Sequence, residues 1–112
     1  MAYEQGRLYD SADDFFRLGG DAVMPLTRAA AIAACEAASA RGFTIWRIEG
    51  GHWRRPGFEP RLDCIWDGAD PPMDRVAAEL ENATAAEFVR AADPAQDAFI
   101  LTLAPMALSD AS

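Results

Sequence analysis

The sequence of 112 residues has no lysine, one histidine, two cysteines and no long uncharged apolar run. Its most Ala-rich stretch, residues 29–40, contains Glu36 and is shorter than the roughly 18 apolar residues of a membrane span. The first residues lack the basic start and continuous apolar segment of a secretory signal. We therefore expect no membrane insertion and a cytoplasmic location.

The residues that usually carry catalysis are also scarce. Cys35 and Cys64 lack the close spacing of a metal or redox pair, so in a reducing compartment both are expected to be buried thiols. No Gly-x-Ser-x-Gly elbow and no phosphate-binding Gly-rich loop occurs. One alternative stays open, in which His52 with Glu49 or Glu59 forms a small ligand-binding or catalytic site. The main expectation is a protein that is not an enzyme and has no cofactor and no metal.

Acidic residues outnumber basic ones, 18 to 10, and the formal net charge is −8. The excess lies in the two ends of the chain, whereas the middle is nearly balanced. Such a charge argues against binding to nucleic acid, which depends on neutralising phosphates. It suits a basic protein partner, although acidity can also serve solubility alone.

Length and apolar content predict a single domain over residues 1–112, with a frayed tail after residue 107. Capping residues, Gly and Pro positions and apolar spacing then place the elements. Helices are predicted at about 12–18, 26–41, 73–81 and 85–92, and strands at 43–49, 61–67 and 98–103. The last strand is wholly apolar and is expected in the middle of the sheet. This order predicts an α+β fold, a small antiparallel sheet of about three strands with helices packed mainly on one face.

Residues 50–60 are predicted to form a long, irregular connection between the first two strands, because they contain three Gly and two Pro residues. Trp53 is followed there by two Arg residues, a composition typical of interaction hot spots. Trp46 and Trp66 could be cross-strand or core partners, and this is the better explanation for at least one of them. The predicted partner-binding residues are Glu49, His52, Trp53, Arg54, Arg55 and Glu59.

The layout resembles a known family. A helix preceded by a proline ends at a small residue and is followed by a strand. The segment Glu49 to Trp53 and a loop that contains a proline come next, then a second strand with a tryptophan and a closing helix and strand. This is similar to the small α+β immunity proteins of bacterial polymorphic toxin systems. The resemblance covers roughly residues 13–104 and implies an acidic, cofactor-free cytoplasmic protein that occludes a toxin.

The leading hypothesis is therefore a protein-binding domain that neutralises a cognate bacterial toxin by direct contact. Acidic side chains would oppose basic residues of the toxin while Trp53 fills a pocket on it. A less specific alternative is a structural subunit that dimerises through an exposed sheet edge. Homo-oligomerisation is left open by the sequence.

Overall fold

The computed structural model describes residues 6–55, 57–70 and 74–106. Within these ranges the elements are α1 (Ala12–Arg17), α2 (Arg28–Ala37), a 3₁₀ turn (Ser39–Arg41), β1 (Phe43–Arg54), β2 (Gly57–Asp67), α3 (Arg75–Ala91) and β3 (Ala98–Pro105). The strands form an antiparallel sheet in the order β2-β1-β3, which confirms the predicted α+β class. No helix in the described part of the chain is long and apolar enough to cross a membrane. The expected tail after residue 107 lies outside the described residues.

Local capping signals locate the first helices well. Ser11 caps α1 by accepting a hydrogen bond from the backbone N–H of Asp14, and Thr27 caps α2 by accepting one from Ala30. Because Thr27 is the cap, α2 begins at Arg28, two residues later than predicted. Gly42 ends the following 3₁₀ turn with a left-handed φ of 88°, as expected of a glycine at a helix end.

The C-terminal helical region is one helix, so the predicted break between residues 81 and 85 is wrong. Thr84 lies inside α3, where its hydroxyl donates to the carbonyl of Leu80 instead of capping a new helix. Asn82, also taken as part of the break, is buried and binds the backbone of β1. Asn82, which lies in the predicted break, therefore serves a tertiary contact between α3 and β1 and does not end a helix.

The long connection predicted at residues 50–60 is also wrong, because both strands continue through it. His52 pairs with Glu59, Trp53 with Phe58, and Arg54 with Gly57, which leaves only residues 55 and 56 between the strands. The glycines act as points of close approach rather than as loop residues. A Cβ on Gly50 would lie 2.4 Å from the sulfur of Cys64, and one on Gly51 would lie 2.1 Å from the carbonyl oxygen of Glu59.

Two irregularities interrupt the ladders of β1. Against β3, the register shifts between Ile45 and Arg47, so that Trp46 is an extra residue. Against β2, Gly50 alone lies between the paired residues Glu49 and Gly51, whereas residues 61–64 lie between their partners on β2. These irregularities interrupt the alternation of apolar and polar residues along β1 and β2.

The apolar strand β3 lies at an edge of the sheet, not in its middle. The segment before α2 covers that edge with main-chain hydrogen bonds: Leu26 exchanges two with Phe99, and the N–H of Ala22 donates to the carbonyl of Leu101. The carboxylate of Asp21 accepts from the N–H of Leu103 at 2.7 Å. Covered in this way, an edge strand can be as apolar as a central one.

The core lies between the sheet and the helices. From the sheet, Ile45, Ile48, Phe99 and Leu101 are fully buried. Both cysteines are buried free thiols, which confirms the expectation for them. The helices therefore cover one face of the sheet, and the opposite face displays the other set of side chains.

Candidate protein-binding surface

The outer face of the sheet, opposite the helices, follows from the strand register. Directly opposed residues point to the same side of an antiparallel sheet. The pairs on the outer side of β1 and β2 are Arg47 with Asp67, Glu49 with Ile65, and Trp53 with Phe58, and β3 adds Ile100 and Thr102.

The apolar members of the outer face are not part of the core. Trp53, Phe58, Ile65 and Ile100 are half-buried, and none of them belongs to the buried cluster beneath the helices or packs against it. Partly exposed aromatic and aliphatic side chains next to charges are typical of protein interfaces. This face is therefore able to bind a partner without rearrangement of the core.

Glu49 and Trp53, two of the predicted binding residues, lie on the outer face. Trp53 is anchored through its backbone N–H, which donates to the carboxylate of Asp97 at 2.7 Å. Glu49 accepts from the guanidinium of Arg47 at 3.1 Å, and Arg47 also binds Asp67 at 2.5 Å. The bonds to Glu49 and then to Asp67 raise the pKa of Arg47.

The other predicted residues lie at the end of the hairpin. His52 is opposite Glu59, but the carboxylate of Glu59 is bound by Arg54 at 2.8 Å. That hydrogen bond, with the charge of Arg54, lowers the pKa of Glu59. Arg54 and Arg55 are exposed. The structure therefore places five of the six predicted residues at the end of the hairpin, on two sides of the sheet, and Glu49 farther along β1.

The histidine site is not favoured by this arrangement. By strand alternation His52 points to the side of the sheet opposite from Glu49, and Glu59 is already paired with Arg54. In the described part of the chain, no group of three or more His, Cys, Asp or Glu residues is arranged to hold a metal ion.

Sequence reasoning missed two large exposed apolar residues on the strands. Trp46 is 43% exposed because the bulge turns it outward, whereas Trp66 packs against the core, as expected for one of this pair. Leu62 is 90% exposed within the irregular segment of β2. The only sequence signal for either was the interrupted alternation around it.

Comparison with known proteins identifies the class as that of bacterial immunity proteins. The family described as Colicin-E5 Imm protein has a sequence model that matches residues 24–104. The immunity protein CdiI of Burkholderia pseudomallei is 58% identical over 102 residues, which cover 91% of this chain and 94% of the relative. The colicin-E5 immunity protein of Escherichia coli is 33% identical over 81 residues, 71% of this chain and 98% of the relative.

The chain belongs to the colicin-E5 immunity protein family. This confirms the resemblance drawn from the sequence, and with it the expectation of a protein-binding immunity protein rather than an enzyme.

The matches also distinguish two parts of the chain. The family match begins at residue 24, after α1 and most of the segment that covers β3. A match over 102 of 112 residues must include part of residues 1–23, so the Burkholderia relative shares at least some of this segment.

Proposed function

We propose that this protein neutralises a cognate bacterial toxin in the cytoplasm by direct binding, using the outer face of the sheet and the end of the β1-β2 hairpin. The contact residues are Glu49, His52, Trp53, Arg54, Arg55 and Glu59. The observation that carries the proposal is the position of Trp53 and Phe58, a half-buried aromatic pair that lies outside the core. Family membership supplies the kind of partner, a toxin.

The chemistry of the surface suits binding more than catalysis. Trp53 is held at its backbone by Asp97, so the backbone there loses little further conformational entropy when the ring enters a pocket on the partner. The net charge of −8 accelerates encounter with a basic surface, and Arg54 and Arg55 fix orientation by pairing with acidic groups. We infer that the partner is a protein and that neither nucleic acid nor membrane is bound.

The test is protection of cells that express the cognate toxin, which is to be sought among the neighbouring genes. The wild-type chain should restore growth and bind the purified toxin domain, whereas a variant with Trp53→Ala and Arg55→Ala should do neither. Leu80→Ala is the matched control, because Leu80 is 68% exposed on α3, away from the outer face. Thermal unfolding of each variant separates loss of contact from loss of fold. Protection by the double variant at wild-type level would overturn the proposed contact surface.

A further inference from the structure

A cavity opens beside the exposed Trp46. The bulge between Ile45 and Arg47 places Trp46 outward, and the N–H of Gly68 fixes that position by donating to its carbonyl at 2.8 Å. Gly68 cannot be replaced without a shift, since a Cβ there would lie 2.9 Å from the ring of Trp66 and 3.0 Å from the carbonyl oxygen of Ile45. The backbone of Gly68 is therefore closely packed and bound to the backbone of Trp46, whose side chain is 43% exposed.

The cavity has a volume of about 380 Å³, at the small end of the range for ligand sites. It is lined by Trp46, Arg47, Asp67, Gly68, Asp70 and Thr102. These residues continue the outer face, because Arg47 pairs with both Asp67 and Thr102 in the sheet register. Its size fits one long side chain of a protein bound across that face.

The charges around the cavity are unequal. Among the described residues that line it, Arg47 is the one cation, and Asp67 and Asp70 are two acids. Arg47 binds Asp67 at 2.5 Å and is shared with Glu49, at 3.1 Å, which lies next to the cavity on the same face. The side chain of Asp67 is 65% exposed and keeps room for a second donor.

From this arrangement we propose that the cavity is the subsite for one lysine or arginine side chain of the toxin. The indole face of Trp46 attracts a cation, and the carboxylates of Asp67 and Asp70 accept its hydrogen bonds. An apolar occupant would leave the excess carboxylate charge uncompensated when water is excluded. The inference depends on the proposed function, since it specifies a contact within the same complex.

The groove between α2 and α3 is a weaker candidate for such a subsite. It is similar in size, about 390 Å³, and is also acidic. Its charges are arranged in a similar way, since Arg90 binds both Glu36 and Glu87 and Glu79 is a further acid, so charge does not distinguish the two sites. The difference is the aromatic residue: among the described residues that line the groove, none is aromatic, whereas Trp46 lines the cavity.

The experiment measures the affinity of the cognate toxin domain, identified as in the test above, for single variants by calorimetry at two salt concentrations. Trp46→Ala should weaken binding at least about 10-fold, and Trp46→Phe should lose less, because Trp gives the strongest cation-π contact. Asp70→Asn should weaken binding about 3- to 10-fold and reduce its dependence on salt. The matched controls are Leu80→Ala for Trp46 and Glu79→Gln for Asp70, both on exposed positions of α3.

The outcomes separate this inference from the proposed function. If the wild-type chain does not bind the toxin, the proposed function fails for that pair. If it binds and both Trp46→Ala and Asp70→Asn stay within about 2-fold of wild type, with unchanged thermal unfolding, the subsite is wrong while the function stands. A loss on Trp46→Ala with no effect of Asp70→Asn, Asp67→Asn or salt would show an apolar occupant and overturn the assignment of a cation.

Discussion

Asn82 of α3 accepts a hydrogen bond from the backbone N–H of Ile45 at 2.7 Å, and both groups are buried. The same side chain donates to the carbonyl of Phe43 at 3.1 Å. This stretch of β1 precedes Arg47, the first residue that pairs with β2, so the amide of Asn82 serves as a partner strand would.

Replacing Asn82 by Leu should lower the free energy of unfolding by about 2 kcal/mol or more, because the N–H of Ile45 would be buried without an acceptor. Urea denaturation measures the loss. Thr84→Ala, an exposed change two residues away, should cost far less. Equal stabilities for Asn82→Leu and wild type would show that the bond between the helix and the strand contributes nothing.

Arg28 links the start of α2 to the end of α3. Its guanidinium donates to the carbonyls of Val89, Ala92, Asp93 and Gln96, at 2.5 to 2.9 Å. The planar guanidinium presents five N–H donors in a fixed fork, whereas the ammonium of a lysine has three donors on a single nitrogen and cannot serve all four carbonyls. We expect Arg28→Lys and Arg28→Ala both to lower stability, the latter by about 2 to 3 kcal/mol. Arg17→Ala, which breaks an exposed pair on α1, is the control, and an equally small effect at both sites would contradict this role.

The ion pair between Arg54 and Glu59 should make the stability of the protein depend on pH. Because the pKa of Glu59 is lowered from 4.5, its contribution to stability is present above that value and is lost as the pH falls through the pKa of the folded state. Urea curves of wild type and Glu59→Gln should therefore differ most near neutral pH and converge in acid. A difference in the free energy of unfolding between the two proteins that grows as the pH falls would contradict the pairing.

The cysteines should be unreactive in the folded protein. Burial, and secondarily the charge of Glu36, raises the pKa of Cys35 to about 12, and burial also raises the pKa of Cys64. A thiol reagent at mildly alkaline pH should label neither residue until denaturant is added. Cys64→Ser assigns the signals, and rapid labelling of the native protein would show that one thiol is accessible.

The fold was predictable where the signals are local. Ser11 marks a helix start through its side chain, and Gly42 marks a helix end through its backbone freedom. The segments rich in apolar residues predict the strands of a sheet. The edge position of β3 was not predictable, since the hydrogen bonds from Ala22 and Leu26 that cover it come from a segment distant in sequence. The same holds for Asn82, which looks like a helix terminator until its partners on β1 are known.

The candidate surface was predicted in part. Trp53 with its Arg neighbours stood out by composition, but the strand register alone shows that Trp53 and Glu49 share a face while His52 does not. Which of Trp46 and Trp66 packs against the core was not predictable, because a one-residue bulge changes the side that a residue faces and bulges have no reliable sequence signal.

The most direct test of the account is a cross-saturation NMR measurement on the labelled protein bound to its toxin, which reports the residues in contact with the partner. We predict that the strongest loss of signal falls on the outer face of the sheet, at Trp46, Trp53, Phe58, Ile65 and Ile100. Loss concentrated instead on the groove of α2 and α3, at Glu36, Glu87 and Arg90, with the outer face unaffected, would contradict it.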